Sequence, residues 1–241
     1  MARPLAEIER HLENSFSERP SLTLSDGSLE TLKWLALVLM IGDHVNLFLL
    51  DRSLPVLFLA GRLVMPLFAF VLAYNLTRPG FYAQGGYERV IVRMIPYGLI
   101  AIPFFVGLGH EIIPLNIIFT LLLGVLFCYL IEMGTSYSLK LAGMLLMLGS
   151  WFVDYSMSGV LLFVSIWMYF RFNNLFGLFV ILLSLVGISA LNGNAWAFAA
   201  IPVILLVSRI EIPLPRVKHI FYPIYPLHLA ALWMIQSISG S

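Results

Sequence analysis

The residues best suited to chemistry in this sequence are two adjacent ionisable side chains, Asp43 and His44, inside the apolar segment 32–50. An ionisable group in the middle of a membrane-spanning helix costs roughly 2.5–3.5 kcal/mol on insertion scales, so such groups are rarely retained without a use. A histidine in this setting suits proton transfer, and a neighbouring carboxylate suits charge pairing. The pair is therefore the first candidate for a functional site.

Two more ionisable residues, Arg62 and His228, lie about eight residues inside two other apolar segments. If those segments cross a membrane, all four groups reach a similar depth, near its middle. Adjacent residues on a helix point about 100° apart, so Asp43 and His44 cannot both face one partner. We predict that Asp43 pairs with Arg62 and that His44 faces a substrate.

Lys33 lies eleven residues before His44, and eleven steps of about 100° return to within about 20° of the same helix face. Lys33, Leu37, Met40 and His44 thus form one stripe of about 16 Å, from the membrane surface to its middle. The stripe suits a long, thin ligand with an anionic head, such as a coenzyme A thioester. The alternative is that Lys33 only anchors the helix at the interface.

The elements that position these residues are membrane helices, as the composition indicates. Of 241 residues, 60% are hydrophobic and 11% are charged, with a mean hydropathy of +0.93. Soluble domains are about 45–50% apolar and about 25% charged. The net charge of +1 comes without a basic run, so no nucleic-acid partner is indicated, and the single cysteine, Cys128, excludes a disulfide within the chain.

We predict an all-α, polytopic protein of the lipid bilayer with about nine transmembrane helices, the acceptable range being eight to ten. The apolar segments are residues 32–50, 54–76, 91–108, 114–133, 139–153, 157–170, 174–191, 195–208 and 220–238. The first four and the last have the length of a span, about 17–25 residues. Those between 139 and 208 are shorter and are expected to tilt or to pair as half-helices.

The basic residues predict the orientation. With nine spans and a cytoplasmic N-terminus, the outer loops receive only Arg52, and the cytoplasmic ends receive Arg3, Arg10, Arg19, Lys33, Arg78, Arg89, Arg93, Lys140, Arg171, Arg209, Arg216 and Lys218. This is the distribution of the positive-inside rule. Residues 1–31 are polar and are predicted to be a cytoplasmic tail, followed by a single membrane domain over residues 32–241.

Other features carry weaker predictions. Tyr222 and Tyr225 precede His228 at a spacing of three and share its helix face. Asn116 begins a stripe of small and polar residues at every fourth position, a pattern more typical of helix packing. His110 is expected to be a solvated loop residue, and an outer turn contains Asp154 and Tyr155.

Two non-catalytic interpretations of the buried groups stay open. Asp43 and Arg62 could simply hold two helices together, with the histidines hydrogen-bonded to carbonyl groups. Two histidines beside an aspartate could also bind a metal, although no HxxxH or HExxH spacing is present and no metal is expected.

Three stretches carry a family resemblance: LKWLALVLMIGDHVNLFL, FLAGRLVMPLFAFVLAYNL and FYPIYPLHLAALWMI. In order and spacing they resemble the TraX family of conjugal-transfer membrane proteins, over about residues 25–235. The matching positions are Leu32–Lys33, Asp43–His44, Gly61–Arg62 with Pro66–Ala69, Asn116–Gly124, Tyr225–Pro226 and His228–Leu229.

The resemblance implies an acetyltransferase of the bacterial inner membrane that uses acetyl-CoA to acetylate the N-terminal amine of a pilin subunit. TraX is also distantly similar to membrane acyltransferase family 3, so an envelope glycan or lipid stays an alternative acceptor. Two competing classes stay open. One is a transporter that relays protons through the buried groups, although the sequence lacks the inverted repeat expected of a transporter. The other is a non-catalytic assembly factor.

Residue roles follow from this hypothesis. His44 is the general base, Asp43 and Arg62 hold the site, and Arg62 stabilises the oxyanion. His228 is a second acid or base, or it positions the acceptor. Two sets of binding residues are expected: Lys33, Arg78 and Arg93 for the coenzyme phosphates, and Tyr225, Asn116 and Tyr222 for the substrate.

Overall fold

The computed structural model describes residues 22–173, 175–210, 214 and 221–239. Within these ranges the regular structure is helical, apart from one isolated parallel β-bridge between Leu115 and Val153. The predicted all-α class is therefore confirmed for the described part of the chain.

The described residues form ten α-helices. They are α1 (Asp26–Phe48), α2 (Pro55–Gly61), α3 (Val64–Leu76), α4 (Gly86–Gly107), α5 (Ile117–Met133), α6 (Ser136–Met144), α7 (Ser156–Phe172), α8 (Leu175–Asn192), α9 (Ala200–Val207) and α10 (Phe221–Ser239). A π-helical turn (Leu145–Gly149) and a 3₁₀ turn (Ser150–Phe152) extend α6, and a 3₁₀ turn (Trp196–Ala199) precedes α9.

Each predicted apolar segment coincides with one helix or with a short run of helices. By length and composition, four of the described segments can cross a membrane: Asp26–Phe48, Pro55–Leu76, Gly86–Gly107 and Leu175–Asn192. Three more are apolar but shorter: Ile117–Met133, Ser156–Phe172 and Trp196–Val207. Helix length thus supports a membrane protein, and the count of nine spans stays a prediction.

Helix α1 begins earlier than predicted. Ser25 caps it, because the Ser25 side chain accepts a hydrogen bond from the Ser28 N–H at 3.1 Å. Residues from Asp26 onward therefore already belong to α1, and Glu30 is 1% exposed. The first 21 residues of the predicted tail lie outside the described residues.

The second apolar segment is broken at Arg62. Helix α2 ends at Gly61 and α3 begins at Val64. Pro66 has no N–H, so it cannot donate a helical hydrogen bond to the carbonyl group of residue 62, four positions earlier. This missing bond accounts for the break in the helix at Arg62.

Helix α7 lies at the centre of the fold and packs against α3, α5 and α8. Phe163 and Trp167 of α7 are fully buried. Gly124 of α5 allows this packing, because an added Cβ would lie 2.5 Å from the Phe163 ring. The stripe that starts at Asn116 is thus a packing face.

The helices end at two opposite ends of the bundle. At the first, which we call the Arg78 end, α1 begins and α3 finishes, and Arg78 pairs with Asp26. Arg171 also pairs there with Glu132, at 2.7 Å. The opposite end, which we call the Asp154 end, carries the connections after α1, α4 and α8 and the turn before α7.

Candidate functional site

A cavity of about 500 Å³ lies among the connections at the Asp154 end. It reaches between the helices as far as Met40, one turn of α1 before His44. Asp43, His44 and Arg62 all line it, and so does Tyr225 of α10. The cavity therefore brings together three of the four ionisable residues that the sequence predicts to meet.

Asp43 and Arg62 form the predicted ion pair. Arg62 Nη2 donates to Asp43 Oδ2 at 2.7 Å, and both side chains are largely buried. Arg62 Nη1 also donates to Asn192 Oδ1 at 3.2 Å, and Nε donates to the Phe58 carbonyl oxygen at 3.2 Å. A guanidinium has five N–H groups, so two remain for another acceptor.

Gly61 explains how α1 and α2 come close enough for this pair. A Cβ at position 61 would lie 2.4–2.6 Å from atoms of the Asp43 side chain, which is closer than real contacts allow. The glycine that precedes the arginine is therefore a requirement of the ion pair.

His44 and His228 form a second pair. His44 Nδ1 lies 2.7 Å from His228 Nε2, and the two rings are inclined by only 4°. His228 Nδ1 lies 2.9 Å from the Ile224 carbonyl oxygen. Because a carbonyl only accepts, His228 Nδ1 carries a proton. In the neutral pair His228 Nε2 then accepts from His44 Nδ1, which leaves the lone pair on His44 Nε2.

His228 does not line the cavity and is 9% exposed. Both of its ring nitrogens are engaged, and the edge of the Tyr225 ring packs against it at a centroid distance of 5.4 Å. A direct contact between His228 and an acceptor, one of its predicted roles, is not available in this arrangement. Its effect on a substrate would pass through His44.

His110 belongs to the cavity wall, which sequence reasoning missed. Its ring stacks on Phe105 at a centroid distance of 4.1 Å and meets the edge of Phe48 at 5.5 Å. Burial, with a smaller contribution from the charge of Arg52, lowers the pKa of His110. The expectation of a solvated loop histidine is wrong. His110 lies on a connection between helices, where no helical periodicity indicates which residues a side chain contacts.

Asp154 is a second carboxylate of this cavity and was also missed as a site residue. Its Oδ1 accepts from the Tyr155 N–H at 2.9 Å. Burial raises the pKa of Asp154, against the smaller lowering effects of that hydrogen bond and of the Arg62 charge. Asp154 thus lies within the electrostatic reach of the Asp43–Arg62 pair.

Two predicted substrate residues lie elsewhere. Asn116 is buried and structural: its Oδ1 caps α5 through the Ile118 N–H at 3.1 Å, and its Nδ2 donates to the Gly98 carbonyl oxygen at 3.1 Å. Tyr222 stacks on Tyr97 at a centroid distance of 6.0 Å. Neither residue lines the cavity, so only Tyr225 keeps its predicted place.

The predicted coenzyme residues lie far from the cavity, at the Arg78 end. Lys33 pairs with Glu30 and lies 5.1 Å from the centre of the Phe221 ring. Arg78 pairs with Asp26, and Arg93, near the start of α4, is half-buried.

The stripe between Lys33 and His44 is closed by packing. Leu37 and Met40 are 4% and 5% exposed. The stripe is therefore closed at Leu37 and meets the cavity only at Met40 and His44.

Among the described residues, no three His, Cys, Asp or Glu side chains converge as a metal site would require. Fold and cavity together define a helical membrane protein whose polar centre is an ion pair beside a histidine pair. The chain belongs to the TraX family: the family model described as TraX protein matches residues 28–236.

Individual relatives match over shorter stretches. Protein TraX of Escherichia coli is 37% identical over 90 residues, 36% of each chain. Protein TraX of Escherichia coli strain K12 is 44% identical over 70 residues, 29% of this chain and 27% of the relative.

An uncharacterized protein of Rickettsia prowazekii (strain Madrid E) is 30% identical over 100 residues, 42% of this chain and 36% of the relative. The chain thus covers 27–36% of the length of these curated relatives. No solved structure matches it.

Proposed function

We propose that this protein is a membrane-embedded acetyltransferase that moves acetyl from acetyl-CoA to an acceptor amine. The N-terminal amine of a pilin subunit is the acceptor that the family resemblance favours, and an envelope glycan or lipid is the alternative. The observation that carries the proposal is the hydrogen-bonded pair of His44 and His228, with His44 on the wall of a polar cavity.

The reaction needs a base in this position. The acceptor nitrogen attacks the thioester carbonyl carbon, and its proton passes to His44 Nε2. The C–S bond then breaks, and the coenzyme A thiolate receives that proton, so the products are the acetylated amine and coenzyme A. The two uncommitted N–H groups of Arg62 would stabilise the oxyanion that forms between these steps.

His228 would act as a positioning residue. By accepting from His44 Nδ1 it fixes the tautomer that presents Nε2 to the cavity, and its own bond to the Ile224 carbonyl holds the ring in place. The two hydrogen bonds of His228 support a base role for His44 and a positioning role for His228.

The donor would enter from the Arg78 end. Lys33, Arg78 and Arg93 would bind the coenzyme phosphates there, beside a smaller cavity of about 240 Å³ lined by Arg78 and Arg171. The fit is partial, because Glu30 and Asp26 already pair with two of these residues. The acyl arm also requires Leu37 and Met40 to move aside, since both are buried.

The same proposal includes the membrane topology. Nine spans with a cytoplasmic N-terminus in the bacterial inner membrane place the Arg78 end in the cytoplasm, where acetyl-CoA is made. The Asp154 cavity then faces outward, where a processed pilin N-terminus would lie. Acetyl could pass between the two sides without movement of coenzyme A across the membrane.

The test is the incubation of membranes carrying the protein with acetyl-labelled acetyl-CoA. We expect label on a small membrane protein in the wild type, and a loss on the order of 10²–10⁴-fold in His44→Ala, the usual size of a base contribution. Tyr137→Ala, at a position 77% exposed, is the control and should keep full activity.

The outcome separates the competing classes. Label that is equal in wild type and His44→Ala would overturn the assignment. Absence of label together with a His44-dependent proton flux would favour a transporter, and partner capture unaffected by His44→Ala would favour an assembly factor.

A further inference from the structure

We propose that Asp154 binds the cationic nitrogen of the acceptor and thereby selects an amine. The reaction at this subsite rests on the proposed function, whereas binding of an amine can be tested without it. Asp154 lines the same cavity as His44, so a ligand held by one residue lies within the space lined by the other.

The position of Asp154 is fixed by its backbone. The Asp154 N–H donates to the Leu115 carbonyl oxygen at 2.8 Å, and the Asp154 carbonyl oxygen accepts from Thr120 Oγ1 at 2.6 Å. With the bond from the Tyr155 N–H to Oδ1, three hydrogen bonds hold this one residue. Such anchoring is typical of a preorganised binding group.

The Asp154 carboxylate is positioned by hydrogen bonds but is not paired with a cationic side chain among the described residues. Its Oδ2 makes no hydrogen bond within the described part of the chain. Arg62 is committed to Asp43 at 2.7 Å. A bound cation would stabilise the charged form of such a partly buried carboxyl group.

The charge of the cavity wall favours the same ligand. With neutral histidines its charged residues are two arginines and three acids: Arg52, Arg62, Asp43, Glu111 and Asp154. Two positive and three negative charges leave a surplus of one negative charge, which an ammonium group would balance and which a neutral hydroxyl would not.

The turn that follows Asp154 also carries backbone strain. Tyr155 and Ser156 both adopt positive φ values, 59° and 48°, in the left-handed region that non-glycine residues rarely occupy. On the other side of the cavity, Arg52 does so as well, at 57°. Strained residues of this kind persist where the surroundings hold them, and they cluster at functional sites.

An ammonium group must lose a proton before its nitrogen can attack a carbonyl carbon. Asp154 Oδ2, in contact with the bound group, would accept that proton and become a carboxylic acid. The neutral amine then attacks, and its second proton passes to His44 as described above. Asp154 afterwards releases its proton to the solvent, so the balance of the reaction is unchanged.

The experiment measures binding of a fluorescent tetra-alanine amide with a free N-terminus to the purified full-length protein in detergent. Asp154→Asn keeps the Oδ1 acceptor for Tyr155 and removes the charge. We expect it to weaken binding on the order of tenfold, the effect of losing one charge-assisted hydrogen bond. Glu111→Gln removes the same unit of charge from the cavity wall but leaves the Asp154 carboxylate in place, so it should weaken binding by no more than about twofold.

The N-acetylated peptide should bind wild type and Asp154→Asn equally. Equal binding of the free-amine peptide to wild type and Asp154→Asn, or an equal loss in Glu111→Gln, would overturn the proposal. If Asp154→Asn does not fold, wild type must still prefer the free amine to the N-acetylated peptide and to its N-terminal hydroxyl analogue. Amine binding without acetyl transfer would contradict only the proposed function.

Discussion

His44 and His228 illustrate how one carbonyl oxygen can decide which nitrogen of a distant ring is available for chemistry. The Ile224 carbonyl requires a proton on His228 Nδ1, and the effect passes through the 2.7 Å contact to His44. Two neutral histidines in contact therefore have unequal roles. In the neutral pair, His44 Nε2 keeps a lone pair, whereas both ring nitrogens of His228 are engaged.

This arrangement predicts different outcomes for two replacements of His228. His228→Phe removes the acceptor for His44 Nδ1, and we expect kcat to fall on the order of 10²-fold with KM little changed. His228→Gln provides a side-chain oxygen at a similar reach and should recover much of that loss. Steady-state kinetics of acetyl transfer measures both.

A purely structural role for His228 would give the opposite pattern. In that case both replacements would lower the melting temperature together, and activity would follow the amount of folded protein. Comparable kcat values in the two variants at equal stability would contradict the orienting role.

The contact between α1 and α2 shows how a pair of elements positions the site. Arg62 lies at the break between α2 and α3, and its guanidinium pairs with Asp43 of α1. Gly61, one residue earlier, provides the space for the Asp43 side chain. A helix that continued unbroken through Arg62 and had a larger residue at position 61 would satisfy neither condition.

Gly61→Ala should therefore disrupt the ion pair. The added Cβ would overlap Asp43, and we expect a destabilisation of about 1–3 kcal/mol, typical of overpacking, together with loss of activity. Gly143→Ala is the matched control, because a Cβ there meets nothing within 4 Å. Removing a helical glycine without a clash should be neutral or stabilising, by up to about 1 kcal/mol.

Thermal unfolding in detergent and acetyl transfer would be measured for both variants. Equal behaviour of Gly61→Ala and Gly143→Ala would show that the close approach of α1 and α2 does not support the site.

The whole molecule has two chemically different ends. The Arg78 end carries basic residues paired with acids, and the Asp154 end carries the larger cavity with a surplus negative charge. Between them the outer faces of the helices are apolar, as at Phe179, Leu183 and Val186 of α8, which are 55–61% exposed. Such a surface is suited to lipid and is costly in water.

Orientation can be tested with single cysteines. Cys128 is fully buried, and Cys128→Ala provides a cysteine-free background. We expect a membrane-impermeant thiol reagent to label Ser53→Cys, at the Asp154 end, in intact cells. Ala83→Cys, at the Arg78 end, should react only after the membrane is opened, because the distribution of basic residues predicts that this end is cytoplasmic.

Both positions are exposed in the structure, so access differs only by the side of the membrane. The reverse labelling pattern would invert the topology, and labelling of both sites in intact cells would exclude a membrane barrier between them.

The sequence by itself determined the class of protein, the helical segments and the residues that share a helix. Hydrophobic segments and helical periodicity depend on residues near one another in the chain, so Asp43, His44 and Arg62 could be predicted as candidate site residues. The residues that resemble TraX lie in the same segments, and the family model confirms the family over residues 28–236.

Only the tertiary structure decided which helix faces meet and where the connections lie. It brought His228 into hydrogen-bonding contact with His44, and it showed that Asn116 and Tyr222 do not line the cavity. It also brought His110 and Asp154 into the cavity wall. Those two residues lie on connections without a period, and their neighbours come from distant parts of the chain, so no local pattern encodes their contacts.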